Sequence, residues 1–404
     1  MLITIILSLI IQTLIINKIA KQQVLTSISI AIVRSLASFL YTTIFDNNDI
    51  NIFWFPYIKE CKDVGLFNFQ KIASFLYCSN FLTDIKSINL IYGCIGCFSI
   101  SLLIRLGDKI YKQNIFKNIL VNNKYLKLQI LKNYNLIRIS QILIIFDPIG
   151  ISYTSALGKD LFLFSSIVSI IYLFYYPSLL ITIFSLIVSI TCFSDRPYAA
   201  LFIIGALLLS LNFPNLKIDG FLRKIQFNIP SKLNLKISYK SLFIFIIFIP
   251  ISILIINRVF ISFYVDNFNL LEIINYLNLW DRNMVGGILS YSSDLPFFIK
   301  YLFFWILPLP IIQPGYGSII FGISTINYLF LIIYIFQKGI EFNTYRMKFL
   351  ISIIIIFSVL FSYISFNSGV TSRYKFSSCI PPLYLIFISS NINYIKNKFK
   401  NYNE

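Results

Sequence analysis

The 404-residue chain is 57% hydrophobic and 17% aromatic but only 12% charged, with a mean hydropathy of +0.79 and a formal net charge of +18. Water-soluble domains carry about 25% charge, which excludes a soluble globular fold, and residues 1–404 read as a single polytopic membrane domain. Histidine is absent, which removes the commonest general base, every His-ligated metal site, and Ser-His-Asp or Cys-His chemistry. The basic residues lie in short loops between apolar runs, where they set orientation and meet anionic lipid headgroups, so nucleic acid is not an expected partner.

In chain order, the first apolar run, 2–17, has no basic n-region and no small-residue cleavage site, and reads as a retained first span. The second, 24–45, carries Arg34 in Ala31-Ile32-Val33-Arg34-Ser35. An arginine at that depth either faces the bundle interior or a wet cavity, or snorkels to an interface. The 46–86 loop mixes Asp46, Asp49, Glu60, Asp63 and Asp84 with lysines and is expected outside; its Cys61 and Cys78 form an open disulfide pairing. The next span, 87–106, contains Cys94-Ile-Gly-Cys97. With no basic neighbour to activate a thiol, that pair reads as packing.

The 107–135 loop holds Lys109, Lys112, Lys117, Lys124, Lys127 and Lys132 against Asp108 alone, and is expected to be cytoplasmic. Four spans follow at 136–154, 160–176, 178–193 and 197–213, the middle pair joined by Tyr175-Tyr176-Pro177-Ser178. Asp147-Pro148 and Lys159-Asp160 bracket an outer turn. Pro148 ends or bends the incoming helix, and Asp160 is either part of a site or the cap of the next helix. Lys159 runs against the inside-positive bias. Asp195-Arg196-Pro197 presents a guanidinium at the outer face, suited to bidentate binding of phosphate or diphosphate, or else paired locally with Asp195.

The 214–240 loop, with Lys217, Arg223, Lys224, Lys232, Lys236 and Lys240, is again expected inside, and a span at 241–261 follows. The acidic 262–300 loop is expected outside; in it Asp281 is either a general base or the partner of Arg282. The 299–313 stretch, with Trp305, Pro308 and Pro310, reads as a re-entrant or interfacial segment on the outer side. Spans at 318–336, 349–366 and 378–394 complete an all-α membrane bundle of about 11 transmembrane helices. Before the last span, Gly369-Val370-Thr371-Ser372-Arg373-Tyr374-Lys375 sets two cations outside, where topology gives no reason for them. Gly369 offers backbone freedom there, and Tyr374 a stacking surface for a sugar.

Together these motifs form a recognisable series: an intramembrane Arg34, then outer Asp46, the helix ended by Pro148, Lys159-Asp160, Arg196-Pro197-Tyr198, Gly286-Gly287 leading to Leu307-Pro308-Leu309-Pro310, and Arg373-Tyr374-Lys375 before Pro381-Pro382. The series resembles that of bacterial O-antigen and exopolysaccharide repeat-unit polymerases, relatives of the polyprenyl-dependent GT-C membrane glycosyltransferases. Lys375 stands where the resemblance suggests a second arginine, which keeps the charge but loses a bidentate fork. The resemblance implies a multi-pass protein of the bacterial inner membrane. It would transfer a glycan from polyprenyl diphosphate to a sugar hydroxyl of the next lipid-linked repeat, on the outer face. Developing charge on a diphosphate needs positioned cations more than a special nucleophile, so Arg196, Arg373 and Lys375 are the expected catalytic cations, with Asp281 as candidate base. Lys159, Arg34, Tyr374, Arg282 and Asp46 are expected to bind substrate. No metal or cofactor is required. The implied partners are the lipid-linked oligosaccharide, membrane lipids and a chain-length regulator. Two rivals are a single-sugar transferase using a polyprenyl-phosphate donor, with Asp46 or Asp49 as its carboxylate, and a transporter of lipid-linked oligosaccharide.

Overall fold

The computed structural model describes residues 2–43, 69–79, 85–116, 124–155, 158–219, 224–228, 296–309, 316–364 and 368–403. It is mostly helical and divides into two compact units. Among the described residues, three helices are long and apolar enough to cross a membrane, or five if each bent helix pair counts as one span. The expectation of about 11 spans is thus met only in part. Several apolar segments form helices too short for one crossing, and the predicted span at 241–261 lies outside the described residues.

Unit 1 comprises residues 1–105, 148–201 and 238–268. Its described elements begin with α1 (Leu2–Lys18), α2 (Val24–Thr43), α3 (Phe69–Cys78) and most of α4 (Ile85–Phe116). In chain order α5 (Lys124–Ile145), of the other unit, comes next, and unit 1 resumes with α6 (Pro148–Thr154), α7 (Lys159–Tyr175), α8 (Leu179–Asp195) and the start of α9 (Pro197–Asn212). Helix α7 is buried from Asp160 to Phe174, while α8 exposes Leu179, Leu180, Ile183 and Ile187 along one stripe. Comparable apolar stripes lie on α1 (Ile3, Leu7, Ile10, Leu14) and α2 (Val24, Ile28, Ile32, Leu36). Exposed apolar faces at this spacing suit lipid rather than water.

With apolar side chains both inside and outside, hydroxyls supply the specific contacts between helices. The Ser166 and Ser189 hydroxyls meet at 2.7 Å, Ser169 donates to Ser185 at 3.0 Å, and Ser99 donates to Ser165 at 2.8 Å. These bonds join α7 to α8 and to α4. Gly96 lets α4 approach the end of α6 so closely that a Cβ would collide with the Thr154 carbonyl. Cys97 is buried and Cys94 partly so, both as free thiols, within this close packing. Cys78 is disulfide-bonded; Cys61, its candidate partner, lies outside the described residues.

Unit 2 comprises residues 106–147, 202–237 and 269–404. It holds α5, the end of α4, most of α9, strands β1 (Asn215–Asp219) and β2 (Lys224–Asn228), α10 (Phe297–Ile306), α11 (Tyr316–Lys338), β3 (Ile340–Glu341), α12 (Tyr345–Ile364), α13 (Ser368–Tyr374), a π-helical turn (Lys375–Cys379) and α14 (Ile380–Asn403). Helix α10, with ten residues, spans only about 15 Å and cannot cross a hydrocarbon core of about 30 Å. Gly339, with φ of 77°, ends α11 in the left-handed conformation that glycine tolerates.

The three strands depart from an all-α expectation. β1 pairs antiparallel with both β2 and β3, Lys217 standing opposite Gln226 and Glu341. Asn215-Leu216-Lys217-Ile218-Asp219 and Lys224-Ile225-Gln226-Phe227-Asn228 alternate polar and apolar residues, the period of a half-covered strand. The sheet joins the 214–240 loop, expected inside, to the short segment between α11 and α12. Nearby, the Lys348 ammonium donates to the Phe213 carbonyl at 2.6 Å.

Candidate functional site

Among the described residues, buried charge includes Arg34 and the Arg196–Asp160 pair in unit 1 and Lys375 with Asp147 in unit 2. In unit 1, Arg34 is 1% exposed, turned inward rather than snorkelling. Its Nη2 donates to the Thr154 carbonyl at 3.1 Å and to Thr154 Oγ1 at 2.8 Å. Nε and Nη1 are buried with no hydrogen-bond partner among the described residues. A guanidinium held by one residue, with two donor groups left over, is costly unless something else meets it. Gln12, whose Oε1 is also unmet, donates to Ser8 and Ser35 in the same helix group.

Also in unit 1, Arg196 Nη2 lies 2.9 Å from Asp160 Oδ1. Asp160 stands in the first turn of α7 and Arg196 just past the end of α8, so the antiparallel hairpin brings them to one end. Helix α7 begins after Gly158 with no side-chain cap bond, and Asp160, the acidic residue of its first turn, meets both the positive dipole end and Arg196. Pro197, fixed in φ and lacking an N–H, suits the first position of α9 and turns the chain directly after Arg196. Lys159 is the half-buried first residue of α7.

In unit 2, Lys375 is fully buried. Its Nζ donates to the carbonyls of Trp305 at 3.2 Å and Leu307 at 2.9 Å, at the point where α10 stops. An ammonium has three donors; two are used here, and among the described residues no ion pair meets it. Phe304 and Tyr328 present ring faces to it, each 5.8 Å from Nζ to the centroid. Burial lowers the ammonium to about 7, with the neighbouring Cys379 and Asp147 acting in the opposite sense. Asp147, 1% exposed, accepts hydrogen bonds on Oδ1 from Ser324 at 2.9 Å and Tyr328 at 3.1 Å. A small crevice beside it is lined by Ser140, Asn327, Tyr328 and Phe376.

Several expectations change here. Residues 368–379 do not form a loop ahead of the last span. They are helical and continue through the π-turn into α14, so Gly369 lies within a helix. Arg373 and Lys375, two residues apart, therefore point differently, Arg373 half-buried and Lys375 fully so. One face of Tyr374 is occupied by Phe361, stacked at 3.9 Å between centroids with 6° between planes. That leaves at most the other face for a sugar. Asp46, Asp281 and Arg282 lie outside the described residues.

In the sequence Asp147 stands out with Pro148 as one side of an outer polar turn, with no role of its own. Its partners lie more than 170 positions away, and the only local signal was a carboxylate at the end of an apolar run. Among the described residues no three His, Cys, Asp or Glu side chains are grouped as metal ligands would be. No family model, no curated protein and no solved structure matches the chain.

Proposed function

We propose that this chain polymerises polyprenyl-diphosphate-linked oligosaccharide repeats into a surface polysaccharide at the outer face of the bacterial inner membrane. The observation that carries the reading is Lys375: a fully buried ammonium, held by backbone carbonyls at the end of a short apolar helix, with no ion pair among the described residues. A buried cation without a bound anion is costly. One that must receive a diphosphate leaving group has reason to stay in that state.

The chemistry asks little else of the protein. The acceptor hydroxyl attacks the anomeric carbon, the bond to the diphosphate oxygen breaks, and the hydroxyl proton passes to a carboxylate or water. Arg373 and Lys375, both in unit 2, would stabilise the departing diphosphate. Two further observations favour the assumed sidedness. β1, in the basic 214–240 loop, pairs with β3, in a segment that also carries Lys338, Arg346 and Lys348, as a common cytoplasmic side requires. A disulfide at Cys78 suits the oxidising outer side.

The test is the purified protein in lipid vesicles, supplied with lipid-linked repeats extracted from a strain lacking the gene. Lipid-linked chains of two or more repeats, with polyprenyl diphosphate released in step, support the reading. Addition of one sugar without repeat joining would favour a single-sugar transferase, and intact repeats with no released diphosphate would refute polymerisation.

A further inference from the structure

The polar centre of unit 2 contains one buried group that the reading above leaves without a role. Asp147 sits where the helix breaks between Ile145 and Pro148, 1% exposed. The Ser324 and Tyr328 hydroxyls donate to the same oxygen, Oδ1. The Tyr328 ring, so anchored, faces the Lys375 ammonium at 5.8 Å. The other groups facing Lys375 are the Phe304 ring and the Trp305 and Leu307 carbonyls from α10, and Cys379 from its own helix. The titratable groups around this lysine are Asp147, Tyr328 and Cys379, of which Asp147 is the one carboxyl group.

We propose that Asp147 is the positioning residue of this centre: by its charge and through Tyr328 it keeps the Lys375 ammonium cationic and fixed for the diphosphate leaving group. This rests on the glycosyl-transfer reading. It does not require Asp147 to touch substrate, and its role differs from that of a base. Burial disfavours the charged form of this lysine, and Asp147 is among the groups that oppose that effect. A carboxylate close by, but not in direct ion pairing, favours the charged form while leaving the ammonium's remaining donor for a ligand. The π-helical turn that begins at Lys375 and carries Cys379 is the kind of helix irregularity often found at functional sites.

The experiment is the rate of polyprenyl diphosphate release against pH, with vesicle-reconstituted protein and extracted lipid-linked repeats. In the wild type the rate should fall as pH rises and Lys375 loses its proton. Asp147→Asn keeps size and hydrogen-bonding but removes the charge, so the fall should move to lower pH, on the order of one unit. Lys375→Arg, which stays charged throughout, should remove the alkaline fall and make the profile insensitive to Asp147→Asn. A uniformly slower Asp147→Asn protein with an unmoved midpoint would reduce Asp147 to a structural role and overturn the proposal. So would an alkaline fall that persists in Lys375→Arg. If Asp147→Asn does not fold, the Lys375→Arg profile decides alone. Wild-type protein that releases no diphosphate at any pH would instead remove the glycosyl-transfer reading itself.

Discussion

Asp160→Asn separates a structural use of Arg196 from a chemical one. The Arg196–Asp160 pair is close to buried, with side-chain exposures of 10% and 9% and a separation of 2.9 Å. At an effective dielectric of about 20, two unit charges at that distance attract by about 6 kcal/mol. Several kcal/mol of desolvation oppose this, yet removing one partner strands the other charge and typically costs about 3–5 kcal/mol. With an unfolding entropy of about 2.1 cal/mol/K per residue over 404 residues, that cost lowers an apparent Tm by about 4–6 °C. Replacing both charges with apolar groups, Asp160→Leu with Arg196→Met, should recover most of the loss, because neither charge is then left alone. The assays are thermal unfolding in detergent and polysaccharide length in cells. A diphosphate-binding role for Arg196 predicts that the double variant is stable yet makes no long chains. An unchanged Tm in Asp160→Asn would refute the ion-pair argument. Normal chain length in the stable double variant would remove Arg196 from the chemistry.

Other outcomes follow from the packing. Gly96→Ala should disrupt unit 1 by forcing α4 away from the Thr154 carbonyl that also accepts from Arg34; the check is the yield of monodisperse protein in detergent, and a wild-type yield would contradict the close approach. Ser166→Ala should leave Ser189 facing an apolar helix and cost about 1 kcal/mol, with Ser166→Ala and Ser189→Ala together less costly than the two single losses summed, as a double-mutant cycle in detergent would reveal. In a background without other accessible thiols, Arg373→Cys should react with an impermeant thiol reagent added outside intact spheroplasts and Lys224→Cys should not, and the reverse labelling would overturn the assigned sidedness.

The helices were largely legible because hydrophobic runs and breakers suffice to read them. The predicted 160–176 and 178–193 segments match α7 (Lys159–Tyr175) and α8 (Leu179–Asp195) to within one or two residues. Pro148 broke its helix as its missing N–H requires. Charge assigned without a partner misled. Arg373 and Lys375 were read as loop cations because a buried helical lysine is rare. What permits it is two carbonyls about 70 positions earlier. Asp160 looked like a cap because caps are local; its partner, Arg196, is 36 positions on, brought back by the hairpin. The strands were not expected: β1 and β2 alternate strictly but lie in a stretch read as a loop, β3 contributes only two residues, and the pairing that joins them depends on a distant segment. In each case the missing information was the long-range partner.

The most direct test is the glycan profile of a strain lacking the gene, read as a ladder of surface and lipid-linked polysaccharide and complemented with the wild-type or Lys375→Met protein. Polymerase activity predicts single repeats at the surface with no longer chains, full rescue by the wild type, and no rescue by a Lys375→Met protein that accumulates normally. An unchanged ladder in the deletion strain, or complete rescue by Lys375→Met, would contradict it.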